Sequence, residues 1–214
     1  MGIVLRDAVR DDAGFIAWVL LTSHRSHLPK GLWDFSVSED EPTCLRFLEA
    51  LASSSDAHFA HYSTFLVAEV DGEPAAALCG YFDEELGTQA LGKGIAQANA
   101  VVGRSEAESL AGFARAGSIM HVAPGHEPEV WIVEHVATLP EFRRRGLVDR
   151  LLAAMLDRGR SLGAGTADIG VLIDNDPAQR AYEKAAFRVT GEKRHPEFEA
   201  VYGCPGIRSL GRSI

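Results

Sequence analysis

The chain has 214 residues, and its 46% hydrophobic and 24% charged residues are typical of a globular protein with one domain. Its 30 acidic and 21 basic side chains give a formal net charge of −9, which argues against nucleic-acid binding and favours attraction of a cationic molecule. No apolar run approaches the ~20 residues that span a bilayer, and charges at Arg6 and Asp7 interrupt the apolar start of the chain. We therefore expect a single cytoplasmic domain over residues 1–214, with neither a nucleic acid nor a membrane as partner.

The first part of the chain predicts a short strand followed by two helices. A strand over residues 3–6 precedes an apolar helical pattern that an aspartate at 11–12 can cap. Proline and glycine mark residues 27–34 as a loop. Ser38 and Glu41 have the spacing of a capping box, which predicts the start of the second helix.

The middle of the chain predicts a β-hairpin and then a helical insertion. Strands over residues 64–70 and 74–82 flank an Asp-Gly dipeptide, which is a strong hairpin-turn signal. Residues 83–128 are rich in alanine and glycine and carry apolar residues at helical spacing. We expect this segment to be an insertion within the single domain.

The next elements predict a parallel strand-helix-strand unit. Residues 130–137 are almost continuously apolar, as in a strand buried on both faces, and residues 167–173 form a second such strand. The helix between them begins at about Gly146 and shows one apolar face. A right-handed crossover follows from this order. Asp176 and Gln179 predict a capping box for another helix, and a final antiparallel pair follows it.

A basic loop over residues 138–148 joins the first of these strands to its helix. A helix N-terminus offers free N–H groups and partial positive charge, which suit a phosphate. Three arginines add charge, and Gly146 allows a ligand to approach the backbone closely. These physical arguments leave two interpretations open, a phosphate site and a solvated loop.

The loop resembles the acetyl-CoA-binding motif of the GNAT superfamily of N-acetyltransferases. Arg143, Arg145 and Gly146 fit their places in that motif, while Val148 stands where Gly or Ala is usual. The resemblance implies an α/β (α+β) GNAT fold, in which a mixed central sheet is flanked by helices and a βαβ unit binds acetyl-CoA. It also implies that loop amides hold the CoA pyrophosphate and that the preceding strand pairs with the pantetheine arm.

A second stretch resembles the same superfamily about 30 residues later. Asn175, Tyr182 and Phe187 match the family pattern, which implies that Asn175 contacts CoA and that Tyr182 lies near the thiolate leaving group. The alternative for Tyr182 is an aromatic residue packed on the sheet. Ala186 replaces the usual glycine, so we expect the helix to end without that left-handed glycine. The residues implied in cofactor binding are Val136, Thr138, Arg143, Arg144, Arg145, Gly146, Leu147, Val148 and Asn175.

Glu134 is the candidate general base. It lies among apolar residues of a strand, where a charge is costly without a partner or a role, and some family members carry a base on this strand. The alternatives are a glutamate that reaches solvent or an arginine, and a base from the insertion such as Asp83, Glu84 or Glu85. We expect His135 to face the opposite side of the strand and to be structural.

The reaction implied is direct transfer of an acetyl group from acetyl-CoA to a primary amine of a small, cationic molecule. In this scheme Glu134 removes a proton and Tyr182 assists the leaving sulfur. Two alternatives are acetylation of protein N-termini or lysines, and a non-catalytic acyl-CoA-binding regulatory module. The insertion favours a small molecule, because it can cover the acceptor site. No histidine pair has the partners of a metal site, so we expect no metal. The amine, and the choice between a monomer and a homodimer, stay open.

Overall fold

A computed structural model describes residues 2–214 and contains one mixed sheet. The strands are β1 (Ile3–Asp7), β2 (Phe65–Val70), β3 (Glu73–Tyr81), β4 (Val130–Thr138), β5 (Thr166–Leu172), β6 (Arg188–Arg194) and β7 (Gly206–Ser213). They lie in the order β1-β2-β3-β4-β5-β7-β6. β4 and β5 pair in parallel, and the other neighbouring strands pair antiparallel. The mixed central sheet of the predicted fold class is confirmed.

Helices cover both faces of this sheet. They are α1 (Ala13–Arg25), α2 (Leu32–Ser36), α3 (Glu41–Ala52), α4 (Asp83–Leu86), α5 (Thr88–Val102), α6 (Glu106–Ala116), α7 (Leu147–Ser161), α8 (Asp176–Lys184) and α9 (Pro196–Tyr202). On one face α1, α3 and α5 share a core with β2 and β3. On the other face α7 packs against β2, β3 and β4 in a second core. The sheet therefore separates two apolar layers, as a two-sided fold requires.

The first helices differ from the sequence expectation in two places. α2 lies largely within the predicted loop, because the carboxylate of Asp34 accepts a hydrogen bond from the N–H of Gly31 at 2.8 Å and pairs with Arg25 at 2.7 Å. α3 is capped by Asp40 rather than by the serine two residues earlier, since the Asp40 carboxylate accepts the N–H of Thr43 at 3.0 Å. Both corrections come from an aspartate that stabilises a first turn.

The insertion over residues 83–128 is helical, as expected, and is anchored to the first helices at glycines. A Cβ added to Gly94 of α5 would lie 2.3 Å from Nε2 of His58, and one added to Gly112 of α6 would lie 1.9 Å from the carbonyl oxygen of Ser36. Neither position leaves space for a side chain. These close approaches hold the insertion against the part of the chain that precedes the hairpin.

The β4–α7–β5 unit forms as predicted, with one face of α7 buried against the sheet. Gly146 occupies the N-cap of α7 in the left-handed region at φ +74°, a conformation that favours glycine. Within the described part of the chain, no side chain makes a capping hydrogen bond at the start of α7. The residues that α7 buries are Leu147, Leu151, Leu152, Met155, Leu156 and Gly159.

The start of α8 corrects two further expectations. The side-chain oxygen of Asn175, rather than that of Asp176, accepts the N–H of Ala178 at 3.3 Å, and Gln179 instead donates to Glu183 at 2.8 Å. At the other end Ala186 adopts φ +65°. Alanine therefore takes the left-handed position in which the family usually has glycine, because the turn into the next strand needs this conformation.

The C-terminal strands form the predicted antiparallel pair. β7 also pairs with β5, so that it lies between β5 and β6, and α9 connects β6 to β7. α9 packs on the end of the insertion, where Val122, Phe198 and Tyr202 form a small third core. Among the described residues, no helix has both the length and the apolar character needed to cross a membrane.

Candidate active site

A large cavity opens where β4 and β5 separate. Their pairing runs from Val130 opposite Thr166 to Val133 opposite Ile169, and it ends there in the described structure. Beyond that point a cavity of about 870 Å³ extends between the strand ends. It is lined by β4 and β5 at its centre, by α7 and α8 on one side, and by α1, β3 and the insertion on the other. One continuous space therefore connects the predicted cofactor loop to the predicted base.

A β-bulge in β4 determines which side chains reach this cavity. β3 advances two residues from Ala77 to Cys79 while β4 advances three, from Glu134 to Ala137, and His135 adopts φ +54°. An extra residue of this kind breaks the alternation of side chains along a strand. Glu134 and His135 both line the cavity, so the expectation that His135 faces the opposite side is wrong.

The carboxylate of Glu134 lies at the floor of the cavity. Its Oε2 accepts a hydrogen bond from the hydroxyl of Tyr81 at 2.9 Å. Although 32% of the side chain is accessible, that surface faces the cavity rather than bulk water. Burial raises the pKa of Glu134 to about 7, the Tyr81 hydrogen bond opposes the increase, and the negative charge of Asp83 adds to it. No arginine pairs with Glu134 in the described part of the chain.

His135 packs within aromatic rings beside this carboxylate. Its ring centre lies 4.8 Å from that of His24, 5.6 Å from that of Phe59 and 6.1 Å from that of Phe65. Burial holds the pKa of His135 well below its usual value, so the ring is neutral at pH 7. Its Nε2 lies 3.7 Å from Oε2 of Glu134. His135 thus packs beside Glu134 as a neutral ring and adds no positive charge there.

The half of the cavity that contains the predicted base Glu134, which we call the acceptor half, carries negative charge. Asp83, the first residue of the insertion, lines it together with Glu134, whereas Glu84 and Glu85 do not. Burial lowers the pKa of His24 to about 4, so this neighbouring imidazole is also neutral. Two carboxyl groups surrounded by neutral rings favour a cation over an anion.

The cofactor half is formed by the loop before α7. Arg143, Arg144, Gly146, Leu147 and Val148 line the cavity. The side chain of Arg145 does not, because its guanidinium lies over the ring of Phe142 at 5.2 Å. The two halves therefore differ in sign of charge, basic at the loop and acidic at the acceptor end.

The backbone and one buried hydroxyl of this half fit a phosphate-bearing ligand. Arg144 and Gly146, on either side of Arg145, both adopt left-handed conformations, at φ +60° and φ +74°, and turns that contain such residues can direct backbone N–H groups toward an anion. The Oγ1 of Thr138 is buried and has no hydrogen-bond partner among the described residues. Asp149 of the first helical turn is neutralised by Lys184 at 2.5 Å. These features fit CoA, whose pyrophosphate and amide groups need such donors and acceptors.

α8 brings Asn175 and Tyr182 to the same cavity. Asn175 caps the helix and donates from Nδ2 to Oγ of Ser26 at 2.6 Å, so its side chain also ties α8 to α1. Tyr182 is 7% exposed, and its hydroxyl makes no hydrogen bond with any described residue. Burial raises the pKa of this phenol, which keeps the proton on oxygen at neutral pH.

A group of metal-ligand type lies outside the cavity. One ligand atom each from His121, His195 and Glu197 lies within 4.8 Å of the others. Protein contacts already use these atoms, because Nε2 of His121 lies 3.1 Å from Oε2 of Glu197 and the N–H of Glu197 donates to Nδ1 of His195. The expectation that the protein uses no metal stays a prediction.

Comparisons with known proteins assign the chain to a family. The sequence model of the acetyltransferase (GNAT) family matches residues 29–187, which is most of the chain. The chain belongs to this family. No curated protein matches it.

Solved acetyltransferases share the fold over nearly the whole chain. One acetyltransferase aligns with a TM-score of 0.68 at 19% identity and covers 99% of both chains. An N-acetyltransferase from Staphylococcus aureus Mu50 has a TM-score of 0.64 at 17% identity, over 98% of this chain and 100% of that one. An agmatine N-acetyltransferase has a TM-score of 0.55 at 15% identity, over 99% of both chains. At these identities the likeness shows the fold.

The sequence motifs point to Glu134, Tyr182 and the cofactor loop but not to most residues of the acceptor half. His24, Phe59 and Tyr81 line the cavity without any local motif that marks them. His126, from the irregular end of the insertion, also lines it. The signal that could have found these residues is spatial, since they come from four separate segments of the chain.

Proposed function

We propose that the protein transfers an acetyl group from acetyl-CoA directly to a primary amine of a small, cationic molecule. One observation carries this proposal. A carboxylate with a pKa raised to about 7, Glu134, lies in the same cavity as the basic loop and Tyr182. A base, a phosphate-binding helix end and a proton donor in one space are the components that amine acetylation needs.

The amine must lose a proton before it can attack. An alkylammonium with a pKa of ~10.4 is neutral in roughly one molecule in 2500 at pH 7, a deficit of ~4.6 kcal/mol. A carboxylate with a pKa near the working pH is the best compromise between being deprotonated and being basic. Glu134 has that value, and its hydrogen bond from Tyr81 holds the carboxylate in place. Glu134 is therefore the general base of the proposed reaction.

The residues of the cofactor half hold acetyl-CoA, which supplies the acetyl thioester. The N-terminal amides of α7 and the side chains of Arg143 and Arg144 bind the pyrophosphate in this scheme. The hydroxyl of Thr138 and the backbone of Val136 contact the pantetheine arm, and an N–H near Val136 polarises the thioester carbonyl. Asn175 contributes a contact from the start of α8.

Tyr182 assists departure of the sulfur. Its phenol is protonated at neutral pH, is free of protein hydrogen bonds in the described chain, and lines the same cavity as Glu134 and the basic loop. Such a hydroxyl can donate a proton to a thiolate as the carbon–sulfur bond breaks.

The shape and charge of the acceptor half favour a small cation over a protein terminus. Asp83 and Glu134 attract a positive charge, and the insertion contributes Thr88, Ile119 and Pro124 to the cavity wall. A wall on this side restricts the length of chain that can follow the reacting amine. Among the similar folds, the agmatine N-acetyltransferase is named for a small cationic amine.

The test is release of free CoA from acetyl-CoA in the presence of an amine panel. The panel contains monoamines, diamines, aminoguanidines, amino acids and N-terminal or lysine peptides. We expect small cationic amines to give the highest kcat/KM and added salt to lower it, because screening weakens long-range attraction. Highest activity with peptides would assign a protein acceptor. Acetyl-CoA binding without release for every amine would assign a non-catalytic binding module.

A further inference from the structure

His126 is a titratable residue of the cavity that the proposed mechanism does not yet use. It lies in the irregular chain between the insertion helices and β4, and its side chain is 10% exposed. Its Nδ1 is buried and makes no hydrogen bond within the described residues, but it lies 3.6 Å from Oδ2 of Asp168. A buried ring nitrogen without a partner is costly unless the ring has a function or a nearby charge.

Asp168 orients this ring. It lies on β5 opposite Ile132, one strand from Glu134, and its side chain is 27% exposed. No other basic side chain of the described structure lies within ion-pair distance of it. A carboxylate beside Nδ1 favours the tautomer with its proton on Nδ1, which leaves the lone pair of Nε2 for a group in the cavity. Asp168 and His126 thus have the relation of an orienting carboxylate and a base.

Amine acetylation removes two protons from the acceptor nitrogen, and each of them needs an acceptor. An ammonium nitrogen has three protons and the amide product retains one, so two protons leave the nitrogen. A carboxylate accepts one of them, before the nitrogen bonds to the acetyl carbon. The other must leave once that bond has formed, while the sulfur takes a proton from Tyr182. Afterwards the two acceptors release two protons and the phenolate regains one, so each turnover releases one proton to solvent.

We propose that His126, oriented by Asp168, accepts the second proton from the acceptor nitrogen. This inference rests on the proposed function. His126 touches the acceptor and is a catalytic residue, whereas Asp168 acts through it as a positioning residue.

The other groups that line this half are poorly suited to the role. They are Glu134 and His135 on β4, His24 on α1, Tyr81 on β3, Asp83 on α4 and Tyr202 on α9. Burial lowers the pKa of His24 to about 4 and holds that of His135 well below its usual value, so neither retains a proton at pH 7. Tyr81 and Tyr202 are protonated, because burial raises the pKa of both phenols. Glu134 holds the first proton, and Asp83 is exposed at the rim.

The experiment compares His126→Gln, Asp168→Asn and the double variant, using the best amine of the panel. We expect each single change to lower kcat by ~10–100-fold and the double change to cost little more, because the two residues act as one unit. The pH profile of kcat should change shape in His126→Gln. Added imidazole should restore part of the activity of His126→Ala, an effect that a structural role does not produce. His121→Gln, an exposed histidine of the same insertion, is the matched control and should retain wild-type activity.

An unchanged pH profile together with no rescue by imidazole would overturn the inference. A wild-type enzyme without acetyl transfer to any amine would overturn the proposed function instead. The two failures are separated further by ¹⁵N NMR of the His126 ring, which needs no turnover. The wild type should show the proton on Nδ1, and Asp168→Asn should shift the tautomer. Identical ring spectra in both proteins would show that Asp168 does not orient His126.

Discussion

The two halves of the cavity are formed by different kinds of chemical group. The cofactor half consists mainly of backbone groups in one short stretch, with Gly146 at a helix end and Thr138 on the preceding strand. The acceptor half consists of side chains from distant segments, with Tyr81, Asp83 and Glu134 at its floor and rim. A site made from backbone groups requires a local pattern of residues, whereas a site made from side chains requires only that the fold brings them together. The first half therefore leaves a motif in the sequence and the second does not.

The halves also differ in their buried titratable groups. Four buried or half-buried histidines pack under the acceptor half or beside it, and burial lowers the pKa of each: His24, His58, His61 and His135. α7 and α8, which form the cofactor half, contain no histidine. We expect the two halves to respond differently to substitution and to acid.

The largest effect should come from Glu134→Gln, which removes the basic oxygen and retains size and hydrogen bonding. We expect kcat/KM to fall by ~10²–10⁴-fold. In the wild type the carboxyl group is protonated below its pKa of about 7, so activity should rise with pH through that value and the variant should lose this limb. The measurement is kcat/KM from pH 6 to 9.5. Glu84→Gln, one residue beyond Asp83 and outside the cavity lining, is the control.

Parallel pH profiles for wild type and Glu134→Gln would contradict this assignment. In that case Asp83 would be the next candidate base, since it is the carboxylate of the insertion that reaches the cavity.

Tyr182→Phe should have the next largest effect. The change removes the hydroxyl and retains the ring, so we expect kcat to fall by ~10–10³-fold with little change in acetyl-CoA affinity. Turnover and calorimetry measure the two quantities separately. Tyr62→Phe, outside the cavity, should change neither. Unaltered turnover in Tyr182→Phe would make Tyr182 a packing residue.

The contrast between the halves also explains what could be predicted from the sequence. The β4–α7–β5 unit follows from apolar periodicity and one glycine, and the structure confirms it. The side of the sheet on which the His135 side chain lies could not be predicted, because the bulge in β4 arises from pairing with β3. The cap of α8 was assigned one residue too late, since Asn175 and Asp176 can both cap a helix and only the backbone decides between them. The roles of Glu134 and Tyr182 stay predictions.

Acid should destabilise the acceptor half before the cofactor half. His58 is fully buried, and its pKa of about 4 lies below the ordinary value of 6.5. As the pH falls, His58 therefore binds a proton in the unfolded chain before it does so in the folded protein. Its contribution to the free energy of unfolding is present above pH 6.5 and is lost as the pH falls toward 4. We expect His58 alone to contribute roughly 3 kcal/mol to that loss. Hydrogen exchange at pH 7 and 4.5 should show earlier opening of α3 and α5 than of α7. Simultaneous opening of α3, α5 and α7 would contradict the expected difference in acid stability between the two halves.

The pyrophosphate assignment is tested by a matched pair at Gly146. Asparagine and aspartate both tolerate the left-handed conformation of this residue, so Gly146→Asn and Gly146→Asp carry similar strain and differ in charge. Negative charge at the N-terminus of α7 repels a phosphate, and we expect Gly146→Asp to bind acetyl-CoA ~5–30-fold more weakly than Gly146→Asn. Calorimetry measures both dissociation constants. Equal affinities would show that the pyrophosphate does not bind at this helix end.

The smallest effect concerns Ala186, which takes the place of a family glycine at the end of α8. At φ +65° alanine has a steric cost of ~1–2 kcal/mol that glycine lacks, and glycine loses ~0.5–1 kcal/mol more conformational entropy on folding. Because the Ala186 side chain is exposed, no packing is lost, and Ala186→Gly should stabilise the protein by ~0.5–1 kcal/mol. For a chain of this size that corresponds to a Tm increase of ~1–4 °C. Ala185→Gly is the matched control, since Ala185 has φ −79° and the same change there should lower Tm. Turnover should be unchanged in both variants, because neither residue lines the cavity. A loss of activity in Ala186→Gly would mean that the strained turn helps to position Tyr182, four residues earlier, and would couple the end of α8 to the site.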